Sequence, residues 1–98
     1  MGTAVPFENP GDYARIHRRI KRLWNEGLVT IEPHAQRRMA KRHIDLLDVQ
    51  NIILDGSIVS RDRKGDQWRY RIQGATVAGA TASCIVAIEG RLISVLDY

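Results

Sequence analysis

The chemistry available to this chain rests on arginine, histidine and tyrosine, and their densest arrangement is His34-Ala35-Gln36-Arg37-Arg38-Met39-Ala40-Lys41-Arg42-His43-Ile44. His34, Arg38 and Arg42 recur every four residues, so on a helix they line one face. One imidazole followed by two guanidiniums a turn apart suits a phosphate group. Arginine grips an oxyanion bidentately, and histidine exchanges protons near neutral pH. A second group, Arg69-Tyr70-Arg71, adds further cations and a phenol. Together these are the parts of a metal-free RNA-cleaving site: a base for the 2′-hydroxyl, an acid for the leaving oxygen, and cations for the charge developing on phosphorus. His34 is the candidate for proton transfer. Arg38 and Arg42, with Arg69 or Arg71, form the candidate clamp. Tyr70 or Tyr98 is a candidate to stack on a base or donate a proton. The same spacings also describe a solvated basic face and an ordinary half-buried strand.

Charge distribution extends this reading. The formal net charge is +4, and nine of the fifteen basic residues lie between Arg15 and Arg42. From Tyr13 to Asn25 no acid interrupts Arg15, Arg18, Arg19 and Arg22. That stripe points to a polyanion such as RNA, or to an acidic protein partner. Other chemistries fit poorly. No glycine-rich loop precedes a helix, the three histidines and one cysteine lack metal-ligand spacing, and Cys84 sits in an apolar run unsuited to a reactive thiolate. Neither a metal nor a cofactor is expected. No stretch has the apolar length of a membrane span, and the first ten residues lack the regions of a signal peptide, so the expected compartment is the cytoplasm.

The elements that position these residues follow from periodicity. Residues 1–9 read as a loosely ordered arm of a single domain spanning 1–98. Asn9-Pro10 reads as a helix start, with Asn9 as cap; Tyr13, Ile16, Ile20, Leu23 and Trp24 give the helix an apolar stripe, and Gly27 stops it. Leu28 to Glu32 is a short strand or extended connector. Pro33 opens the second helix, which runs to about Arg42. Asp45, with Asp48 three residues on, caps a third helix ending at Asp55-Gly56, its buried side formed by Leu46, Leu47, Val49, Ile52 and Ile53. Beyond Gly56 the period becomes alternating. Ser57 to Arg63 is a strand and Lys64-Gly65-Asp66 its turn. Trp68, Tyr70 and Ile72 alternate with Arg69 and Arg71 on the next strand, which Gly74 breaks. Thr76 to Ile88 is a long strand-like run in which Gly79 marks a bulge or bend. Glu89-Gly90 is a tight turn, and Leu92 to Leu96 is the last strand. Helices followed by a meander predict an α+β fold: N-terminal helices on one face of a mainly antiparallel sheet of about four strands.

His34-Ala35, Arg38-Met39, Arg42, Ile44, the helix ending at Gly56, Trp68-Arg69-Tyr70-Arg71 and Gly74 resemble the domain of unknown function DUF4258 over roughly residues 32–96. That resemblance implies kinship with small bacterial toxins of the RelE-like type, within the fold group of barnase, EndoU and the colicins. Arg19-Ile20-Lys21-Arg22-Leu23-Trp24-Asn25-Glu26-Gly27-Leu28-Val29 is similar to the start of the motility quorum-sensing regulator toxin, an mRNA interferase of that group. The resemblances imply a RelE-like fold, metal-independent cleavage of mRNA, free or on the ribosome, and silencing by a cognate antitoxin protein. RelE-like toxins commonly place lysine in the site, whereas the sheet half of this chain has only Lys64, in the expected turn; arginine would supply the charge instead. A nucleic-acid- or protein-binding module without catalysis is the alternative.

Overall fold

Asp12, not Asn9, caps the first helix. The Asn9 side chain accepts from the Gly11 N–H (3.0 Å) in a turn, and the Asp12 carboxylate accepts from the Arg15 N–H (3.2 Å), so α1 spans Tyr13–Asn25. Local side-chain hydrogen bonding favours both residues here, and the later one wins the cap. The computed structural model describes residues 9–97; residues 1–8 of the expected arm and Tyr98 lie outside them. Ile16 and Ile20 are fully buried, with Tyr13 and Trp24 packed at the margins of the core, as the stripe predicts.

β1 (Thr30–Ile31) leads into α2 (Pro33–Arg42), which has Pro33 in its first turn and ends at His43 in the left-handed conformation (φ 57°). α3 (Leu46–Asp55) begins with a complete capping box between Asp45 and Asp48. Val49, Ile52 and Ile53 are buried, whereas Leu46 and Leu47 are exposed, contrary to expectation. The cause is the overlap of α3 with the sheet. Asn51 already bonds the carbonyl of Ala75, the last residue of the strand beneath, so the first turn of α3 lies beyond the strand end.

The remaining strands are β2 (Ser57–Lys64), β3 (Gln67–Ala75), β4 (Thr81–Ala87) and β5 (Arg91–Leu96), in the order β1-β5-β4-β3-β2. Among the described residues the sheet therefore has five strands, not four, and is mixed, because β1 runs parallel to β5. A two-residue strand is too short to show a period, which hides its pairing in the sequence. β2 carries a bulge between Ile58 and Ser60, and β4–β5 shifts register after Ile85. Tyr70, Ile72, Cys84, Val86, Leu92 and Val95 join residues of all three helices in one buried cluster. Alternation sends Arg69, Arg71, Ile85 and Arg91 to the other face.

Gly74 does not break β3. It pairs with Ala82 and lets α3 approach: a Cβ there would lie 3.0 Å from the Gly56 Cα and 3.3 Å from the Ile52 Cα. Gly79 (φ +92°) belongs to the turn before β4 and interrupts no strand. At Gly56 a Cβ would collide with the carbonyl oxygen of Ile52 and lie 2.5 Å from that of Gln73. Backbone on both sides cannot swing away, so Gly56→Ala is expected to destabilise the fold by about 1–3 kcal/mol. A lower urea midpoint with unchanged slope is the measurable outcome.

Candidate phosphate-binding site

α2 owes its placement to Ala35, fully buried, and Met39, half-buried, which anchor it on the helix-covered side of the sheet beside β5. That anchoring turns His34 and Arg38 outward. The Arg38 Nε–H donates to His34 Nε2 at 3.4 Å, a long bond in which the imidazole nitrogen accepts. Neither side chain is paired with a carboxylate among the described residues. A proton acceptor and a guanidinium thus stand side by side on an accessible helix face, a geometry that can hold an oxyanion and take or return a proton.

Arg42, one turn further, is engaged differently. Its Nη1 donates to Asp97 Oδ2 at 2.7 Å, and its Nε is buried with no acceptor among the described residues. An orphan donor of this kind costs about 1–3 kcal/mol. Arg42 also lines a hollow of about 250 Å³ with His43, Ile44, Asp48, Thr76, Ala78, Ala80, Thr81, Ala82 and Asp97. This hollow joins the end of α2, the start of α3, the β3–β4 turn and the end of β5, a convergence that sequence alone does not reveal. Asp48 is committed within it, accepting from the N–H groups of Val77 (2.8 Å) and Asp45 (3.1 Å), which hold its carboxyl below the usual carboxylate range.

The sheet arginines do not join His34. Arg69 grips Asp62 with two bonds, Nε to Oδ1 at 2.9 Å and Nη2 to Oδ2 at 2.6 Å, which lowers the acid and raises the guanidinium. Arg71 Nε donates to Ser83 Oγ at 3.2 Å. Both stand on the sheet face opposite the helices, so the expected clamp of His34, Arg38 and Arg42 with Arg69 or Arg71 is divided between two faces. Tyr70 is fully buried. Its hydroxyl donates to the Pro10 carbonyl (3.0 Å), its ring meets Tyr13 edge-on at 6.2 Å, and burial pushes its pKa up. A phenol so placed ties the start of α1 to the sheet and offers no face to a base.

On α1, Arg15, Arg18 and Arg22 are exposed, while Arg19 reaches the carbonyl of Ile88 at 3.3 Å. His17 Nε2 donates to the Ile53 carbonyl at 2.7 Å, meeting an acceptor in the last turn of α3. Burial drives the Cys84 thiol up to about 12, far from a nucleophile's range. Sequence reasoning missed a stack at the β2–β3 hairpin, where Arg61 and Arg63 lie 5.0 and 5.6 Å from the Trp68 ring. The pairing of Arg63 with Trp68 across the hairpin was its available signal. Among the described residues no group of three or more histidine, cysteine or acidic side chains could hold a metal ion, and no helix is long and apolar enough to cross a membrane.

The family model of the domain of unknown function DUF4258 matches residues 31–96. The chain belongs to the DUF4258 family. The match runs from Ile31 of β1 to Leu96 of β5, so α2, its outward face and the hollow all lie inside the DUF4258 domain, while α1 and its arginines precede it. Searches of curated proteins and of solved structures gave no match.

Asp48 makes the stability of the DUF4258 domain acid-sensitive. Its folded pKa lies below the unfolded one, so its contribution is fully present above the usual carboxylate range and is lost as pH falls through the folded value. The urea midpoint is expected to drop on going from pH 7 to pH 3. In Asp48→Asn, which has a lower midpoint at pH 7, the drop should be smaller.

Proposed function

We propose that this DUF4258 protein is the toxin of a bacterial toxin–antitoxin pair, a cytoplasmic, metal-independent endoribonuclease acting on mRNA, with the RelE-like fold that its sequence resemblances imply. The observation that carries the reading is the His34–Arg38 pair: an exposed imidazole and a half-buried guanidinium in contact on the outward face of α2, with no carboxylate paired to either among the described residues. Arg38 would hold a phosphate oxygen. His34 would take the proton of the adjacent 2′-hydroxyl as that oxygen attacks phosphorus, then return a proton to the departing 5′-oxygen, leaving a 2′,3′-cyclic phosphate and a 5′-hydroxyl. The exposed Arg15, Arg18 and Arg22 of α1 would follow the RNA backbone or receive an acidic segment of the antitoxin. Arg69, Arg71 and Tyr70, on the other face or buried, are given no part in the chemistry.

A second reading, a non-catalytic module that binds RNA or a protein partner, is favoured by a different observation. Arg42 and Arg69 are held by carboxylates and Tyr70 is buried, which leaves His34 as the sole proton-transfer candidate of the expected site among the described residues.

Purified protein incubated with mRNA in the presence of a chelator, with and without ribosomes, separates the two. Cleavage is expected, falling by about 10²-fold or more in His34→Ala and by a similar order in Arg38→Ala. Tyr70→Phe and Arg69→Ala should stay within a few-fold of wild type. Salt-sensitive binding with intact mRNA in every condition would select the second reading.

A further inference from the structure

We infer that the hollow beside Arg42 is a nucleobase pocket and that its preferred occupant is guanine. For its substrate class this rests on the RNA reading above, although its test does not require cleavage. The volume, about 250 Å³, is just below the range of about 300–1,000 Å³ typical of clefts for drug-sized ligands, so it suits a base better than a whole nucleotide. One wall is small and apolar, with Ala78, Ala80 and Ala82 offering a surface for a flat ring.

The polar edge is the Arg42–Asp97 pair. Their contact at 2.7 Å places guanidinium N–H donors next to a carboxylate, whose side chain is 68 % exposed and retains unused lone pairs. Asp48 is the poorer partner, because each of its oxygens already accepts a backbone N–H group. A carboxylate can accept from both the N1–H and the N2–H of guanine, and a remaining guanidinium N–H beside it can donate to O6. Adenine, cytosine and uracil each leave part of that set unmet.

Position supports the assignment. Arg42 follows Arg38 by about one helical turn, four residues or about 6 Å along the axis. A phosphate held at Arg38 therefore has a base-sized hollow within reach of its attached nucleoside.

The test is an amide NMR titration of the wild-type protein with guanosine, adenosine, cytidine and uridine 3′-monophosphates. Guanosine 3′-monophosphate should shift the amides of residues 76–82 and Asp97 at concentrations about tenfold lower than the other three require. Asp97→Asn should remove that preference. Ala80→Leu, which fills the hollow from an exposed position, should abolish the shifts there. Equal responses to all four nucleotides, or shifts confined to His34 and Arg38, would overturn the pocket while leaving the phosphate reading intact. Guanine-selective shifts in a protein that leaves mRNA whole would uphold the pocket and defeat the nuclease reading.

Discussion

The close approach of α3 to β3 at Gly56 and Gly74 is the constraint on which the rest of the structure depends. One residue, Gly56, separates the last turn of α3 from β2, so the chain must reverse from helix to sheet edge almost without a loop. It can do so because two glycines face each other where any other side chain would hold helix and strand apart. With that gap closed, Ile52 and Ile53 descend into the cluster containing Ile72, and the interior fills with β-branched residues from both layers. Spread along the same strand, the alternation of Tyr70 and Ile72 with Arg69 and Arg71 then divides the molecule into a covered side and an open one.

That division explains how the arginines are used. On the open side the guanidiniums serve the sheet itself: Arg69 is forked onto Asp62, Arg71 reaches Ser83, and Arg91 bonds Glu89 and Gln67. Their stems cover small residues such as Ser83 and Ala87, which are fully buried although no helix lies over them. On the helical side the charges of α1 and α2 project outward, and His34, Arg38, Arg15, Arg18 and Arg22 are left to meet something else.

Most of the architecture was legible because each element obeys one period. The α2 start at Pro33, the Asp45–Asp48 capping box, the stripe of Ile16 and Ile20 and the alternation through Ile72 all follow from local chemistry. What was not legible depends on tertiary context. Gly74 reads as a breaker until the helix against it is known. Leu46 and Leu47 read as core until the strand beneath them is seen to end at Ala75. Thr30-Ile31 is too short to declare a partner some sixty residues away. The candidate site shows the same limit. Periodicity put His34, Arg38 and Arg42 on one face and Arg69 with Arg71 on another, but nothing local states that α2 lies across the sheet from those strand arginines. The hollow at Arg42 was invisible for a related reason, since four separate elements meet there.

The parallel pairing of β1 with β5 has a consequence for synthesis. Thr30 and Ile31 hydrogen-bond to residues around Arg91 and Leu92, and α2 packs on the same last strand. A nascent chain lacking β5 can form α2 locally, but it has neither the strand that fixes β1 nor the apolar surface that receives Ala35 and Met39. Closing this long-range pairing waits until β5 has been synthesised and has left the ribosome. The helix carrying His34 and Arg38 is thus made well before the strand that seats it. An incomplete chain still held by the ribosome, with RNA all around it, carries this histidine and arginine on an unanchored helix.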